Sequence, residues 1–181
     1  MRFGSREWFV ATQEELRAER RKRKLAEVAG LSILGPATEE EVAVLWMTMR
    51  KEEKREALDA GGDAAMHRKA VFSAERTFAV YHGDVMLAVA TVYALPKGGH
   101  GLSMERTVAA LERGHRFTWL RAYGPLAEWI CGEYPDGLLT MTPKDLPRAL
   151  AVYRHCGARV VGETTFGGRE WFVLKIGDME E

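Results

Sequence analysis

The chain has 181 residues, enough for one domain with its own apolar core, and its formal net charge is zero. Hydrophobic residues make up 46% of it and charged residues 29%, as in ordinary globular proteins. The neutral balance gives no reason to expect binding to nucleic acid or to anionic membranes. No apolar run reaches the length of about 18 residues that a transmembrane helix needs, and the first residues lack the apolar centre of a secretory signal. We therefore expect a cytoplasmic protein without a membrane partner.

The two cysteines, Cys131 and Cys156, both lie in apolar helical patterns. No second cysteine or histidine stands near either of them at a spacing typical of metal sites. We interpret them as buried thiols in a reducing compartment, rather than as metal ligands or a disulfide.

The first part of the chain is predicted to be a helix over residues 12–29. Thr12 and Glu15 have the spacing of a capping box, and Gly30 would end the helix. We treat residues 1–30 as a basic helical arm that precedes a main domain at residues 31–181.

The middle of this arm is a compact basic run from Arg20 to Lys24. One interpretation is a patch for phosphate or for an acidic protein partner, which would make the arm a docking element. The other is an ordinary solvated helix face. Four acidic residues lie close enough in sequence to pair with the run: Glu14, Glu15, Glu19 and Glu27.

The next segments predict strands and one capped helix. Residues 31–34 read as a short strand, and Thr38 with Glu41 forms a second capping box that opens a helix. Residues 77–82 and 85–95 predict two strands joined by a tight turn at Gly83 and Asp84. Because the second strand is apolar on both faces, helices should cover both sides of the sheet.

The following part predicts a strand at residues 102–111, a helix, and a strand at residues 137–141. The helix carries Phe117, Leu120, Leu126, Trp129 and Ile130 as apolar positions. Pro125 should kink or divide this helix, because proline lacks the amide donor and clashes with the preceding turn.

The last quarter predicts a helix and a β-hairpin. Leu146, Leu150 and Tyr153 recur at helical spacing, and Gly157 stands where a left-handed residue would end the helix. Two β-rich runs follow, at residues 158–163 and 170–176, with two glycines at the turn between them.

This last quarter resembles the end of the GNAT-type N-acetyltransferase fold. That family has Ala-x-x-x-Tyr-x-x-x-Gly-Phe on its last helix; here the positions are Ala149, Tyr153 and Gly157, with Ala158 in place of the Phe. The resemblance implies an α/β fold with a mixed, mostly antiparallel sheet of six to seven strands flanked by helices. It also implies acetyl transfer from acetyl-CoA to a small-molecule or protein amine.

The family's cofactor turn, Arg/Gln-x-x-Gly-x-Gly/Ala before a helix, has a partial counterpart here. Small residues at such a turn let backbone N–H groups approach a pyrophosphate. Arg116 and Thr118 stand where the later glycines would be, so arginine guanidinium groups would have to replace lost backbone contacts. The resemblance places cofactor contacts at Val108, Arg113, Gly114, His115, Arg116 and Thr118.

The transfer reaction needs a base for the amine proton and an acid for the leaving thiolate. Tyr153 matches the family position of the acid, and its alternative role is a core tyrosine on an amphipathic helix. Glu105 is the candidate base, because the resemblance puts its strand beside the thioester. His100 and His115 are alternatives for the base, and all three could instead be structural or solvated.

A second resemblance is to small GNAT-like proteins of podovirus-type phages, which act in the virion or in its assembly. They share a Gly-Ala step before the closing hairpin, here Gly157 and Ala158, and lack the glycine-rich turn. This likeness implies a non-catalytic protein that works through protein contacts in the host cytoplasm or the virion. Nucleic-acid binding through the basic run is a third hypothesis and the least favoured.

Overall fold

The computed structural model describes residues 6–59 and 63–177, with side chains for residues 14–55, 58 and 63–177. None of the helices in these ranges has the length and apolar character that crossing a bilayer requires. The elements in chain order are α1 (Arg6–Arg23), β1 (Lys24–Val28), β2 (Leu31–Leu34), α2 (Glu39–Thr48), α3 (Lys51–Asp59), α4 (Ala64–Phe72), β3 (Arg76–His82), β4 (Val85–Ala94), β5 (His100–Arg106), a 3₁₀ helix (Val108–Leu111), α5 (Arg116–Cys131), β6 (Leu138–Pro143), α6 (Pro147–His155), β7 (Arg159–Phe166) and β8 (Arg169–Ile176).

The strands form one sheet in the order β1-β2-β3-β4-β5-β6-β8-β7. Neighbouring strands run antiparallel except β5 and β6, which are parallel. This confirms the predicted α/β class with a mixed, mostly antiparallel sheet flanked by helices. The sheet has eight strands rather than six or seven, because residues 24–28 form a strand that the sequence analysis had placed in a helix.

The predicted first helix is wrong at both ends. Thr12 lies within α1 instead of preceding it, and α1 ends at Arg23, where the chain enters β1. The Arg23 guanidinium donates to the Pro36 carbonyl at 2.8 Å and to both Glu41 carboxylate oxygens. These tertiary contacts, together with the pairing of β1 with β2, outweigh the helical preference of residues 24–29.

The basic run is largely paired within the chain. Lys22 and Lys24 contact Glu19 and Glu27, two of the acidic residues proposed as their partners. Arg20, together with Arg17, instead binds the carboxylate of Asp84 in the β3–β4 turn. A groove of about 370 Å³ lies beside this contact. The residues that line it are Arg17, Arg20, Arg21, Lys24, Ser32, Leu34, Tyr81, Gly83 and Asp84.

Both faces of the sheet carry an apolar core, as the pattern of β4 predicts. On one face α5 packs through Trp119 and Leu126, which are fully buried against β3, β4 and β5. On the other face α2 contributes Val42 and Leu45, and α4 contributes Val71. The two sets of helices therefore approach the strands from opposite sides.

The remaining predicted elements are largely confirmed. The capping box of α2 is present, with Thr38 Oγ1 accepting from the Glu41 N–H at 3.2 Å. α5 is one continuous helix with Pro125 inside it, so the proline does not divide it. Gly157 follows α6 with φ of +80°, the left-handed conformation expected there. The final hairpin, β7 and β8, is also present.

Glu41 is the centre of a buried polar network that joins α1, α2 and β3. Its carboxylate accepts from Arg23 at 2.8 Å and from the Tyr81 hydroxyl at 2.8 Å, as well as from the Thr38 N–H. Burial acts to raise the pKa of Glu41, but the hydrogen bonds from Arg23, Thr38 and Tyr81 outweigh it and lower that pKa. Burial and the nearby Glu41 charge raise the pKa of Tyr81.

We predict that Glu41→Gln lowers the free energy of unfolding by about 3 kcal/mol, because it leaves the Arg23 charge without its partner. The folded pKa of Glu41 is depressed, so its contribution is present above the usual glutamate pKa of about 4.3 and is lost as the pH falls through the lower, folded value. Urea unfolding between pH 3 and 7 would measure both effects. The matched control is Glu19→Gln, which removes an exposed pair and should cost less than about 0.5 kcal/mol.

Candidate active site at the opening between β5 and β6

The site is built on an incomplete pairing between two parallel strands. β5 and β6 pair at His100 with Leu138 and at Gly101 with Leu139. Beyond these residues β5 continues to Arg106 and β6 to Pro143, but the described strands no longer pair with each other. We call the resulting gap the splay. A strand edge in such a gap presents backbone N–H and C=O groups to whatever enters it.

Alternate residues of β5 face opposite sides of the sheet. Leu102 and Met104 belong to the core beneath α5, and the charge of Arg106 acts on Tyr123 of α5. Ser103 and Glu105 point the other way, where Glu105 meets α4. The two-residue repeat of a strand therefore gives the splay an α5 side and an α4 side.

Residues 49–53 lie along the edge of β5 at the end of the splay. Met49 forms an antiparallel bridge with Thr107, and the Arg50 N–H donates to the Arg106 carbonyl at 3.3 Å. The Glu53 carboxylate accepts from the Arg106 N–H at 2.7 Å and from its guanidinium Nε at 2.7 Å. The Glu53 side chain is only 12% exposed. Neither Glu53 nor Arg106 was identified from the sequence, because their contact joins distant segments.

Tyr153, the predicted acid, lies on the α5 side of the splay. Its ring meets that of Tyr123 edge to face, with centroids 6.0 Å apart. Burial, together with the neighbouring Tyr153, raises the pKa of Tyr123 well above its usual value, while Arg106 acts against this. Burial acts to lower the pKa of Arg106, but Glu53 and the two tyrosines raise it overall. The candidate acid therefore belongs to a cluster with a cation and a second phenol.

Glu105, the predicted base, lies on the α4 side. Its Oε2 is 3.0 Å from Nε2 of His67, and its Oε1 is 3.4 Å from the Ser103 hydroxyl. Burial and the Glu105 charge raise the pKa of Tyr93 on the adjacent strand β4. The structure thus places Glu105 and Tyr153 on opposite sides of the splay. His100, an alternative base, pairs with Glu75 at the other end of β5.

The predicted cofactor turn begins differently from the expectation. The strand predicted over residues 102–111 ends at Arg106, so Val108 lies on a 3₁₀ helix and is half-exposed. The pairing of β5 with β4 stops after Arg106, because the next residue, Thr107, is buried and its hydroxyl donates to the Met86 carbonyl at 2.9 Å. After Val108, the residues Ala109, Ala110 and Leu111 have no β-branched side chain to favour a strand.

The other turn residues come together at the start of α5. Arg113, Gly114 and Arg116 are exposed there, next to the first turn, whose N–H groups have no partner within the helix. A Cβ added to Gly114 would meet nothing within 4 Å, so the fold itself does not require glycine there. Two predicted residues face other parts of the chain. His115 shares a 2.9 Å Nδ1–Nδ1 contact with His82, and Thr118 lies near Gly30.

A groove of about 890 Å³ runs between α5 and α6, beginning beside this turn. Phe117 and Leu120, predicted as apolar positions of the helix, are 59% and 48% exposed here. Such mostly apolar grooves with a few polar groups suit small organic ligands. The lining residues are Phe117, Leu120, Arg121, Gly124, Pro125, Ala151, Val152, His155 and Cys156.

Neither cysteine reaches a metal-binding arrangement. Both thiols are free, and burial raises the pKa of Cys131 to about 11. Among the described residues, no group of three or more His, Cys, Asp or Glu side chains is placed to hold a metal ion.

Several solved structures with similar architecture are acetyltransferases. A putative GnaT-family acetyltransferase from Bordetella pertussis matches with a TM-score of 0.62 and 12% identity, over 85% of this chain and 99% of that one. The fold is that of GNAT-family acetyltransferases. A spermidine N-acetyltransferase chimera of Vibrio cholerae SpeG and hSSAT matches with a TM-score of 0.56 and 12% identity, over 81% and 95%.

An aminoglycoside N(6')-acetyltransferase from Legionella pneumophila matches with a TM-score of 0.57 and 12% identity, over 84% of this chain and 94% of that one. No protein-family model and no curated protein sequence matches the chain. The likeness to solved structures therefore establishes the fold that the last helix and hairpin indicated.

We predict that Glu53→Ala speeds hydrogen exchange of the Arg106 amide at least about tenfold and lowers the free energy of unfolding by about 3 kcal/mol, because it leaves a half-buried guanidinium unpaired. Exchange followed by NMR and urea unfolding would measure these effects. Glu52→Ala is the control: its side chain is 61% exposed, and it contacts Arg50 at 3.5 Å. Equal effects of the two substitutions would contradict a specific role of Glu53 at the strand edge.

Proposed function

We propose that the protein is an acetyl-CoA-dependent N-acyltransferase that acetylates an amine. The observation that carries this proposal is the splay, because it combines an open strand edge with a carboxylate on one side and a phenol on the other. An extended ligand that contains amides can pair with such an edge as an added strand would. The fold shared with N-acetyltransferases supports the same proposal.

The residues at the start of α5 fit the anionic part of acetyl-CoA. Arg113 and Arg116 offer exposed guanidinium groups beside the N-terminus of the helix. The Arg116 N–H is not among the available donors, because it already donates to the Glu112 carbonyl at 2.9 Å. The groove between α5 and α6 adjoins them and could take an apolar or aromatic part of the same molecule. In this proposal the turn holds the cofactor by side-chain charge rather than by a glycine-rich backbone.

The chemistry needs one proton acceptor and one proton donor. Acetyl-CoA, when bound, supplies an activated acetyl thioester. Glu105 would accept the proton that the amine loses as its N–C bond forms. Tyr153 would donate a proton to sulfur as the C–S bond breaks. The products are an N-acetylated amine and a free thiol, and Tyr153 regains its proton from solvent.

The acceptor class rests on charge. The Glu105 carboxylate is an acidic group on the α4 side of the splay. The Trp46 ring packs on its partner His67 and already has the Lys54 ammonium 5.0 Å from its centroid. Carboxylates and aromatic faces both attract ammonium groups. The neighbours named as spermidine and aminoglycoside acetyltransferases act on polycationic amines. We therefore propose a cationic amine as the acceptor and would test these two classes first.

A second candidate is a non-catalytic protein with the same fold, such as a phage virion or assembly protein that acts through protein contacts. The observation that favours it is that one end of the β5 edge is already bonded within the chain. There Met49 bridges to Thr107, and Arg50 and Glu53 bond to the backbone of Arg106. The loss of the later glycines, replaced by Arg116 and Thr118, points the same way. The docking surface in this candidate would include the basic helix α1.

Calorimetric titration with acetyl-CoA distinguishes the two candidates. The acyltransferase proposal predicts micromolar binding that weakens about tenfold in Arg113→Ala and in Arg116→Ala, because each removes a charge-assisted hydrogen bond. The control is Arg68→Ala, an arginine on α4 that pairs with Glu39 away from the turn. No heat and no rise in melting temperature at millimolar acetyl-CoA would exclude the acyltransferase and leave the non-catalytic candidate.

We further predict that Tyr153→Phe lowers kcat at least about 10²-fold with little change in the KM for acetyl-CoA, because the variant keeps the ring and loses the acid. Thiol release measured by a chromogenic disulfide would report the rate. Tyr134→Phe is the control, since Tyr134 lies beside His100 at the other end of β5. Full activity of Tyr153→Phe would assign Tyr153 to the core.

A further inference from the structure

His67 of α4 has no role in the reaction proposed above. Its side chain is 7% exposed, and its Nε2 lies 3.0 Å from Glu105 Oε2. The Trp46 ring packs against the imidazole, with centroids 5.1 Å apart and an interplanar angle of 41°. A helix from one part of the chain and a strand 38 residues later thus meet in one partly buried hydrogen bond.

The surroundings of His67 fix which ring nitrogen carries the proton. Nδ1 is buried and has no hydrogen-bond partner. An N–H at that position would be an unsatisfied buried donor, which costs about 1–3 kcal/mol. A carboxylate accepts hydrogen bonds and cannot donate them, so Nε2 must be the donor toward Glu105. The arrangement therefore selects the Nε2–H tautomer.

This tautomer assigns different tasks to the two oxygens of Glu105. Oε2 is held by His67, whose ring is itself held by Trp46. Within the part of the chain that the structure describes, Oε1 is contacted by the Ser103 hydroxyl at 3.4 Å, and the Glu105 side chain is 23% exposed. One oxygen is thus anchored, and the other can still be reached from the α4 side of the splay.

We infer that His67 is the positioning residue of the catalytic base: its Nε2–H holds the Glu105 carboxylate so that Oε1 faces the acceptor amine. This inference rests on the proposed acyltransferase function. In the transfer step Glu105 takes the amine proton, and His67 keeps its own proton throughout. A base held within a few tenths of an ångström of its working position needs such a partner, because a misplacement of about 1 Å can cost about 10²-fold in rate.

The test compares His67→Gln and His67→Leu with the wild-type protein. Acetyl transfer from acetyl-CoA to spermidine, and to an aminoglycoside of the 2-deoxystreptamine type, gives kcat and KM for each. We expect His67→Leu to lower kcat by about 10–100-fold, with the KM for acetyl-CoA within about twofold of the wild-type value. His67→Gln should recover most of the rate, because the Gln amide can donate to Glu105.

Glu75→Gln is the matched control. Glu75 also pairs with a histidine, His100 at 3.1 Å, but at the surface and at the opposite end of β5. This variant should leave kcat unchanged. Nitrogen-15 NMR of the imidazoles supplies a readout that does not need turnover. We expect a proton on Nε2 and none on Nδ1 of His67, and loss of the Nε2–H signal by solvent exchange in Glu105→Ala, which removes the acceptor.

The outcomes separate the inference from the function on which it rests. An active wild-type protein with unchanged kcat in a folded His67→Leu would overturn the inference and leave the acyltransferase intact. A Nδ1–H tautomer would also overturn it, whatever the activity. A wild-type protein that acetylates neither class of amine and binds no acetyl-CoA would remove the proposed function, and the positioning role with it. Rate loss in His67→Leu with recovery in His67→Gln supports the inference.

Discussion

The structure depends on where the pairing between β5 and β6 stops, after Gly101 and Leu139. A strand inside a sheet normally satisfies its backbone groups on both edges, and an unpaired edge must find other partners. Here β5 pairs with β4 along its length but with β6 only near its start. On the remaining edge, the Arg106 carbonyl accepts a hydrogen bond from the Arg50 N–H, and the Arg106 N–H donates to the Glu53 carboxylate. The segment between α2 and α3 therefore lies where it can bond to the backbone groups of β5 that β6 does not reach.

The splay also explains why charged and polar side chains cluster in an otherwise apolar sheet. The centre of β4 is buried by helices on both faces, and apart from Thr91 it carries apolar residues. The end of β5 has no neighbouring strand of the sheet on one side, where Arg50 and Glu53 contact it instead, and its residues can be polar at little cost. The Arg106 side chain lies on the α5 side of this end of β5, and the Glu105 side chain lies on the α4 side. A half-buried cation and a half-buried carboxylate thus stand next to each other in sequence.

Much of the fold follows from local patterns in the sequence. The capping box at Thr38, the apolar run of β4 and the glycine after α6 each determine an element without distant contacts. The missed elements are those in which tertiary contacts override local preference. β1 has a helix-favouring composition but pairs with β2, and Val108 leaves the strand because Thr107 bonds to β4. In the site, Tyr153 and Glu105 could be proposed from the resemblance, whereas His67 and Glu53 could not, since they meet β5 across 38 and 53 residues.

The placement of Glu105 and Tyr153 on opposite sides of the sheet has a consequence for the shape of any ligand. A molecule on the α4 side and a molecule on the α5 side do not share a surface, and they can meet only through the gap between two strands. The gap is bounded by backbone, which is stiff, and it is narrowed by the Glu53 carboxylate. In the proposed reaction the two ligands would meet only at this gap. Bulk on either ligand then has to stay at a distance from the point of contact, so an unbranched aminoalkyl arm would suit the opening better than an amine on a crowded carbon.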